Sequence, residues 1–219
     1  VAPDPIKDQT YFLSYLTQEQ LKRALFPIGH LQKSQVRELA QQHNLPNKAR
    51  KDSQGICFLG KLKFDQFLKH HLGDLPGNLV EVETGKIMGR HNGFWYYTIG
   101  QRQGIGLAGG PWYVTAKDTT QNTVYISRSY YAPDKMRNKF AIDHCNWISG
   151  TRPDITELSV KLRHGQHIHS CSLTFMDDSK ALITLHDNDQ GIAPGQFAVF
   201  YDKTRCLGAG IIQNNIFSS

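Results

Sequence analysis

The sequence predicts an α+β protein in which a short helical segment is followed by a small central β domain and a C-terminal antiparallel β-barrel. Apolar residues recur at helical spacing in the first third of the chain. From residue 75 onward, short β-branched and aromatic runs are separated by turn residues about every 8 to 12 positions, which favours small barrels over βαβ units. We expect three segments with the boundaries 1–74, 75–118 and 119–219.

Four helices are predicted in the first segment. The first runs through TYFLSYL, and Thr17 with Gln20 has the form of a capping box for the second. After Ser34, apolar residues follow at i, i+3, i+4 and i+7, and Pro46 ends this third helix. The same spacing recurs in FDQFLKHH, where Gly73 is placed to close the fourth helix in a left-handed conformation.

The remaining two thirds predict strands. In the central segment they are NLVEVE, FWYYTI, VTAK and TVYIS, with turn signals at Thr84-Gly85, Asn92-Gly93 and DTTQN. In the C-terminal segment they are FAIDHCNWI, LSVKLRH, SCSLTF, ALITLH, FAVFY and LGAGII. The polar turn after residue 117 is the predicted junction between the two β domains.

The composition is that of a folded, basic protein. The 219 residues include 25 Lys and Arg against 19 Asp and Glu, a net charge of +6, and 39% are hydrophobic, which excludes a disordered or collagen-like chain. No run of 18 apolar residues predicts a membrane span, and VAPDPIKDQT resembles neither a signal nor a transit peptide. We therefore expect no membrane partner.

Four cysteines are present without a CxxC motif or a tight cluster, which favours a reducing compartment. Cys145, Cys171 and Cys206 stand in strand-like runs, where cysteine behaves as a small buried hydrophobe. Cys57 differs because a basic loop precedes it, with cations at Lys48, Arg50 and Lys51. Nearby positive charge lowers a thiol pKa, so the pattern indicates a reactive thiolate; a free cysteine packed under a solvated loop stays open as the alternative.

Several motifs follow one another over essentially the whole chain: KDQTYFLSYL, LFPIGHLQKSQVRELA, KDSQGICFLG, YYTIGQRQGIG, PWYV, APGQFAVFY and CLGAGII. In this order they resemble the tRNA-specific 2-thiouridylase family. Members convert the wobble uridine at position 34 of tRNAs for Lys, Glu and Gln to 2-thiouridine. The resemblance implies that residues 1–74 are the tail of an α/β PP-loop catalytic domain. It also implies a longer enzyme, because the family's SGGxDS phosphate loop and its first catalytic cysteine, in a DxxC context, are not found in these residues.

The resemblance implies a chemistry centred on Cys57, which carries a persulfide received from a sulfur-donor protein. ATP, with Mg²⁺, adenylates the C2 oxygen of the uridine, and the persulfide sulfur attacks C2. The upstream cysteine then resolves the persulfide or releases sulfide in place. These cofactors belong to the missing domain, so the fragment alone is expected to be inactive and to hold none of them. A monomer is expected, in the cytoplasm of a bacterium or in a mitochondrion or plastid of a eukaryote.

The resemblance also assigns tRNA contacts to six residues: Lys7, Asp8, Gln9, Arg163, His164 and Gln196. The family has an aromatic residue where this chain has His164, which can still stack on a base or donate a hydrogen bond. Gln196 is alternatively a polar turn residue after Pro194-Gly195. Gln101 and Arg102, in the glycine-rich run after the aromatic strand, either contact RNA or only order a turn.

Three other functions have weaker support in the sequence. A β-barrel RNA-binding module with an incidental cysteine is the main alternative to an enzyme. A Cys-His hydrolase lacks a papain-like or caspase-like signature around the thiol. The run HGQHIH resembles a partial metal site, but Cys171 is the only further ligand close in sequence, so no metal is expected.

Overall fold

The computed structural model describes residues 1–4, 8–50, 64–130 and 137–213. Two compact units form: residues 1–50 with 137–219, and residues 51–136. The helices are Thr10–Leu13 (α1), Gln18–Leu21 (α2), Lys33–Gln42 (α3) and Phe64–Leu72 (α4). The strands are Gly77–Glu81 (β1), Ile87–His91 (β2), Tyr113–Asp118 (β3), Thr123–Ser127 (β4), Lys139–Trp147 (β5), Glu157–Lys161 (β6), His169–Phe175 (β7), Ala181–Leu185 (β8), Phe197–Asp202 (β9) and Arg205–Ile212 (β10).

The first unit contains a closed six-stranded antiparallel barrel with the strand order β10-β5-β8-β7-β6-β9. Side chains that alternate along the strands fill its interior, among them Phe140, Ile183 and Phe200, all fully buried. Closure pairs every strand on both sides and leaves no open sheet edge. The predicted C-terminal antiparallel barrel is thus confirmed.

Strand β9 is buried on both faces, which explains its uninterrupted apolar sequence FAVFY. Ala198 and Phe200 belong to the barrel interior, whereas Val199 and Tyr201 form a separate cluster with Tyr11 of α1. A strand covered on both faces needs apolar residues at successive positions instead of alternate ones. Helix α1 therefore packs against the outside of the barrel at β9.

The predicted helices all form. Thr17 and Gln20 make the reciprocal capping box of α2, and Gln32 makes the equivalent box at the start of α3. Gly73 has a φ of +68° directly after α4, the left-handed conformation that the sequence predicts.

The second unit is organised around a four-stranded sheet with the order β2-β1-β4-β3. Strands β1 and β4 pair in parallel, and the other neighbours pair antiparallel. Its core contains Leu79, Trp112, Val114, Val124 and Ile126. The sheet corresponds to the predicted central β domain.

The predicted strand FWYYTI is wrong. Phe94–Tyr96 form a 3-10 helix, and Phe94, Tyr96 and Tyr97 all turn toward the same core. The Tyr96 hydroxyl also donates to the carbonyl of Gly73 at 3.0 Å. The aromatic and β-branched composition predicted a strand here. Neighbouring residues of a strand point to opposite faces, so a tighter turn is needed to pack these three nearby aromatic rings into one core.

The compact units differ from the predicted boundaries at residues 74 and 118. The second boundary falls in the turn between β3 and β4, which pair from Tyr113–Ser127 to Asp118–Thr123 and share one sheet. Helix α4 lies in the unit of the central sheet, not with the first three helices. A hairpin whose strands share a core folds as one piece, so a polar turn alone does not mark a domain junction.

Candidate nucleic-acid interface

A buried ion pair lies beneath the start of α1. Lys161 Nζ, at the end of β6, donates to the carboxylate of Asp8 at 3.1 Å, and the two side chains are 5% and 4% exposed. The backbone N–H and the hydroxyl of Thr10 donate to the same carboxylate at 3.1 and 2.8 Å. Burial by itself raises the pKa of Asp8, but the hydrogen bonds from Thr10, Lys161 and Ala2 outweigh it and leave the pKa lowered.

The ion pair fixes α1 to the barrel together with two tyrosines. The Tyr201 hydroxyl lies 3.2 Å from the Thr10 hydroxyl, and the Tyr11 hydroxyl donates to the carbonyl of Phe197 at 3.2 Å. Lys161 also lies over the Tyr201 ring, 5.5 Å from its centroid. A helix of four residues is too short to be stable alone, so these contacts hold it in place.

The outer side of α1 presents aromatic rings to solvent. Phe12 is 63% exposed, and its ring stacks on that of His164, with the centroids 4.7 Å apart and the planes at 28°. Tyr15, also exposed, lies against the ring of Phe197 at 5.0 Å and donates its hydroxyl to the carbonyl of His144 at 2.6 Å. Exposed flat rings of this kind offer faces for unpaired bases.

Arg163 is held beside this surface by a carboxylate. Its guanidinium pairs with Asp189, whose side chain is buried and also accepts from the N–H of Gly191. The Arg163 side chain is itself 52% exposed, so it keeps donors free for solvent or for a phosphate. A Cβ at Gly191 would lie 1.8 Å from Arg163 Nη1, so a larger residue here would displace the guanidinium from its present position.

Gln196 is exposed at the turn that leads into β9. Its N–H donates to the carbonyl of Ala193 at 3.2 Å, and its carbonyl accepts from Ile212 at 2.9 Å. Both hydrogen bonds use backbone groups, so they form a turn while the side-chain amide faces solvent. The residue that follows, Phe197, contacts Tyr15, which places Gln196 next to the aromatic surface.

Helix α1 thus connects the predicted tRNA-contacting residues that the structure describes. Gln9 precedes the helix, Asp8 lies beneath it, and Phe12 stacks on His164, the neighbour of Arg163. We call Gln9, Phe12, Tyr15, Arg163, His164 and Gln196 the α1 surface. The sequence did not indicate Phe12 or Tyr15, because nothing in TYFLSYL shows which aromatic rings the barrel leaves uncovered.

Three predicted residues, Lys7, Lys51 and Cys57, lie outside the described residues. Their roles stay predictions. Lys48 and Arg50 are exposed, and the Lys48 ammonium donates to the side chain of Asn44. Their proposed support of a thiolate at Cys57 also stays a prediction.

The other three cysteines lie in strands, and burial raises the pKa of each thiol. The pKa reaches about 12 for Cys145 and Cys171 and about 11 for Cys206. All three thiols are free and fully protonated at neutral pH. Their chemistry is that of packing residues, in line with their strand-like sequence contexts.

In the second unit, Gln101 orders its own loop. Its side chain accepts from the N–H of Thr98 at 2.9 Å and donates to the carbonyl of Gln103 at 2.9 Å. Arg102 is exposed. The geometry at Gln101 favours the turn-ordering role over a direct RNA contact.

Three family models cover most of the chain. A tRNA methyl transferase HUP domain matches residues 1–61, a tRNA methyl transferase PRC-barrel domain matches 65–128, and an aminomethyltransferase beta-barrel domain matches 137–212. The last match coincides with the closed barrel. This succession of domains gives the class: the chain matches, in order, two domains described for tRNA methyl transferases and one described for aminomethyltransferases.

Curated relatives identify the family within that class. Proteins named tRNA-specific 2-thiouridylase MnmA are 43% identical in Parabacteroides distasonis, 41% in Porphyromonas gingivalis and 43% in Lacticaseibacillus paracasei, over 95–96% of this chain. The chain belongs to the tRNA-specific 2-thiouridylase family. It spans 57–61% of the length of these relatives. Among the described residues, no helix is long and apolar enough to span a bilayer.

Proposed function

We propose that this chain is part of a tRNA-uridine 2-sulfurtransferase that makes 2-thiouridine at the wobble position of tRNAs for Lys, Glu and Gln. Identity of 41–43% to proteins named for that activity, over nearly the whole chain, carries the proposal. The α1 surface supports the proposal, because it combines exposed aromatic rings with the Arg163 guanidinium, next to other residues predicted to contact tRNA.

The proposed chemistry places the transferred sulfur on Cys57. A donor protein delivers sulfur to this thiolate as a persulfide, whose terminal sulfur attacks C2 of the uridine. ATP, bound with Mg²⁺ by a further domain of the longer enzyme, supplies the chemistry that converts the C2 oxygen into an AMP leaving group. A second cysteine then attacks the Cys57 sulfur, so that a disulfide forms and the thione stays on the base. A low-pKa sulfur held close to an activated carbon suits this reaction.

The proposed role of the α1 surface is to hold the tRNA. An unpaired base stacks on Phe12 or His164, and the Arg163 guanidinium binds a phosphate. Asp8 acts indirectly in this proposal: its carboxylate is buried on Lys161 and cannot reach a ligand, but it positions α1 and thereby Gln9 and Phe12.

A binding module without catalysis is the second candidate, because all six residues of the α1 surface belong to the barrel unit. In that case the chain binds tRNA but no nucleoside is changed. The two functions are therefore distinguished by whether a modified nucleoside forms, and not by the affinity for tRNA.

Product analysis tests the proposed function. The full-length enzyme, incubated with unmodified tRNA for Glu, ATP, Mg²⁺ and a persulfide donor, is expected to yield 2-thiouridine at position 34 in nucleoside mass spectrometry. The same tRNA with cytidine at position 34 is the control and should gain no sulfur. A methylated uridine would support the reaction named in the family descriptions, and binding without modification would support the binding module.

Replacing Phe12 with Leu is expected to weaken tRNA binding about 5- to 150-fold, because stacking of a base on an aromatic ring contributes about 1–3 kcal/mol. Phe26→Leu is the matched control, since Phe26 is also exposed in this unit but is not part of the α1 surface. Filter binding measures both variants. Equal affinity of Phe12→Leu and wild type would exclude stacking at this position.

Arg163→Gln should reduce the slope of log affinity against log salt by about one, because one phosphate contact is lost.

A further inference from the structure

A cluster of two imidazoles and one carboxylate lies beside the loop that joins β6 to β7. The members are His167, His169 and Asp187, and one potential ligand atom from each lies within 4.8 Å of the others. His169 Nδ1 lies 2.8 and 2.9 Å from the two carboxylate oxygens of Asp187. The rings of the two histidines meet edge to face with centroids 4.1 Å apart.

The second nitrogen of His169 is oriented by another carboxylate. Nε2 lies 3.2 Å from Asp189 Oδ2, and the two side chains are only 2% and 6% exposed. Asp189 is in turn held by Arg163 and by the N–H of Gly191. A histidine that binds a metal through one nitrogen commonly donates its other N–H to a carboxylate, which fixes the ring. His169 has this arrangement, with Nδ1 turned toward Asp187.

We propose that His169 Nδ1, a ring nitrogen of His167 and the carboxylate of Asp187 bind a divalent transition metal, with Zn²⁺ the best match. Two imidazoles and one carboxylate are a ligand set that zinc accepts, with a water in the fourth position, whereas Mg²⁺ and Ca²⁺ prefer oxygen ligands alone. The metal lies between Nδ1 and Asp187, while Nε2 keeps its contact with Asp189.

The required adjustment is small. Tetrahedral zinc with bonds of about 2.0–2.1 Å brings its ligand atoms to about 3.3 Å from one another. His167 and Asp187 are both exposed, so rotation of these two side chains closes the gap while the buried His169 stays in place. The bound metal would tie the loop after β6, which carries Arg163 and His164, to the segment after β8. The site does not depend on the proposed function.

Calorimetric titration with ZnCl₂ tests the site, in a Cys57→Ser background that removes the predicted reactive thiol. We expect one zinc per chain, no binding of Mg²⁺, and at least tenfold weaker zinc binding in His167→Ala and in Asp187→Asn. Asp189→Asn removes the orienting carboxylate and also the charge that pairs with Arg163, and it should weaken zinc binding by about 10- to 100-fold. The control is His186→Gln, because His186 neighbours Asp187 but contacts Glu157 and Ser172 instead of the cluster.

Histidine ring resonances give a second readout that does not rely on variants. Zinc should shift the signals of His167 and His169 and leave that of His186 unchanged. The absence of zinc binding to the parent protein would overturn the proposal. So would zinc affinity that is unchanged in His167→Ala and Asp187→Asn while both variants keep the thermal stability of the parent.

Discussion

In the full-length enzyme, Cys57→Ser is expected to reduce 2-thiouridine formation to the level without enzyme. The reason is chemical: serine cannot carry a persulfide, so the proposed sulfur has no carrier when the uridine is activated. Nucleoside mass spectrometry of tRNA from single-turnover reactions measures the loss. Binding of tRNA to the variant should stay within about twofold of wild type, since the α1 surface is unchanged.

Cys145→Ser is the matched control, because the Cys145 thiol is free but has its pKa raised to about 12 by burial. It should keep thiolation activity. Labelling with a thiol reagent at pH 7, followed by peptide mapping of this chain, should modify Cys57 first and leave Cys171 and Cys206 protected. Undiminished thiolation by Cys57→Ser, or equal labelling rates at all four cysteines, would contradict the assignment.

Asp8→Ala is expected to destabilise the barrel unit by about 3–5 kcal/mol, because it leaves the Lys161 ammonium buried without a partner. The double variant Asp8→Ala with Lys161→Met should recover a large part of that loss, since both charges are then absent. Urea-dependent hydrogen exchange of β6 and β9 measures the free energy of unfolding. A single variant no less stable than the double variant would show that the pair contributes nothing to α1 docking.

The same carboxylate predicts an acid sensitivity. The pKa of Asp8 is lowered in the folded state, so its stabilisation is complete above the pKa of an unfolded aspartate, about 3.9, and is lost as the pH falls through the folded value. The pH dependence of unfolding below about pH 4 should therefore be shallower in Asp8→Asn. Asp154→Asn, at an exposed aspartate of the same unit, is the control and should leave the profile unchanged.

The sequence predicts elements well where one physical requirement acts locally. The capping residues Thr17 and Gln20 and the left-handed Gly73 are examples, because each satisfies backbone groups within a few positions. Short apolar, β-branched and aromatic runs separated by turn residues likewise predicted the barrel strands. The prediction was wrong at FWYYTI, where strand-forming composition competes with a core that requires several rings on one side.

The sequence indicates some residues of the candidate site, but it does not show which other residues they contact. Asp8 and Arg163 were assigned from family motifs, but their sequence neighbours do not reveal that Asp8 is buried on Lys161, 153 positions away. Along the chain, Cys171 was the only further ligand close to the HGQHIH run. Strand pairing of β7 with β8 supplies the third ligand as Asp187, and Asp189 follows from the same segment.

The sequence by itself determined the family, the four helices, the six barrel strands and the residue proposed to carry sulfur, because motifs, caps and hydrophobic periods are properties of neighbouring residues. Only the tertiary structure decided which side chains share a surface. Closing the barrel and docking α1 on β9 brings Phe12 to His164 and His169 between two aspartates. These contacts join residues far apart in the chain, and their positions follow from strand register and burial, which no local pattern contains.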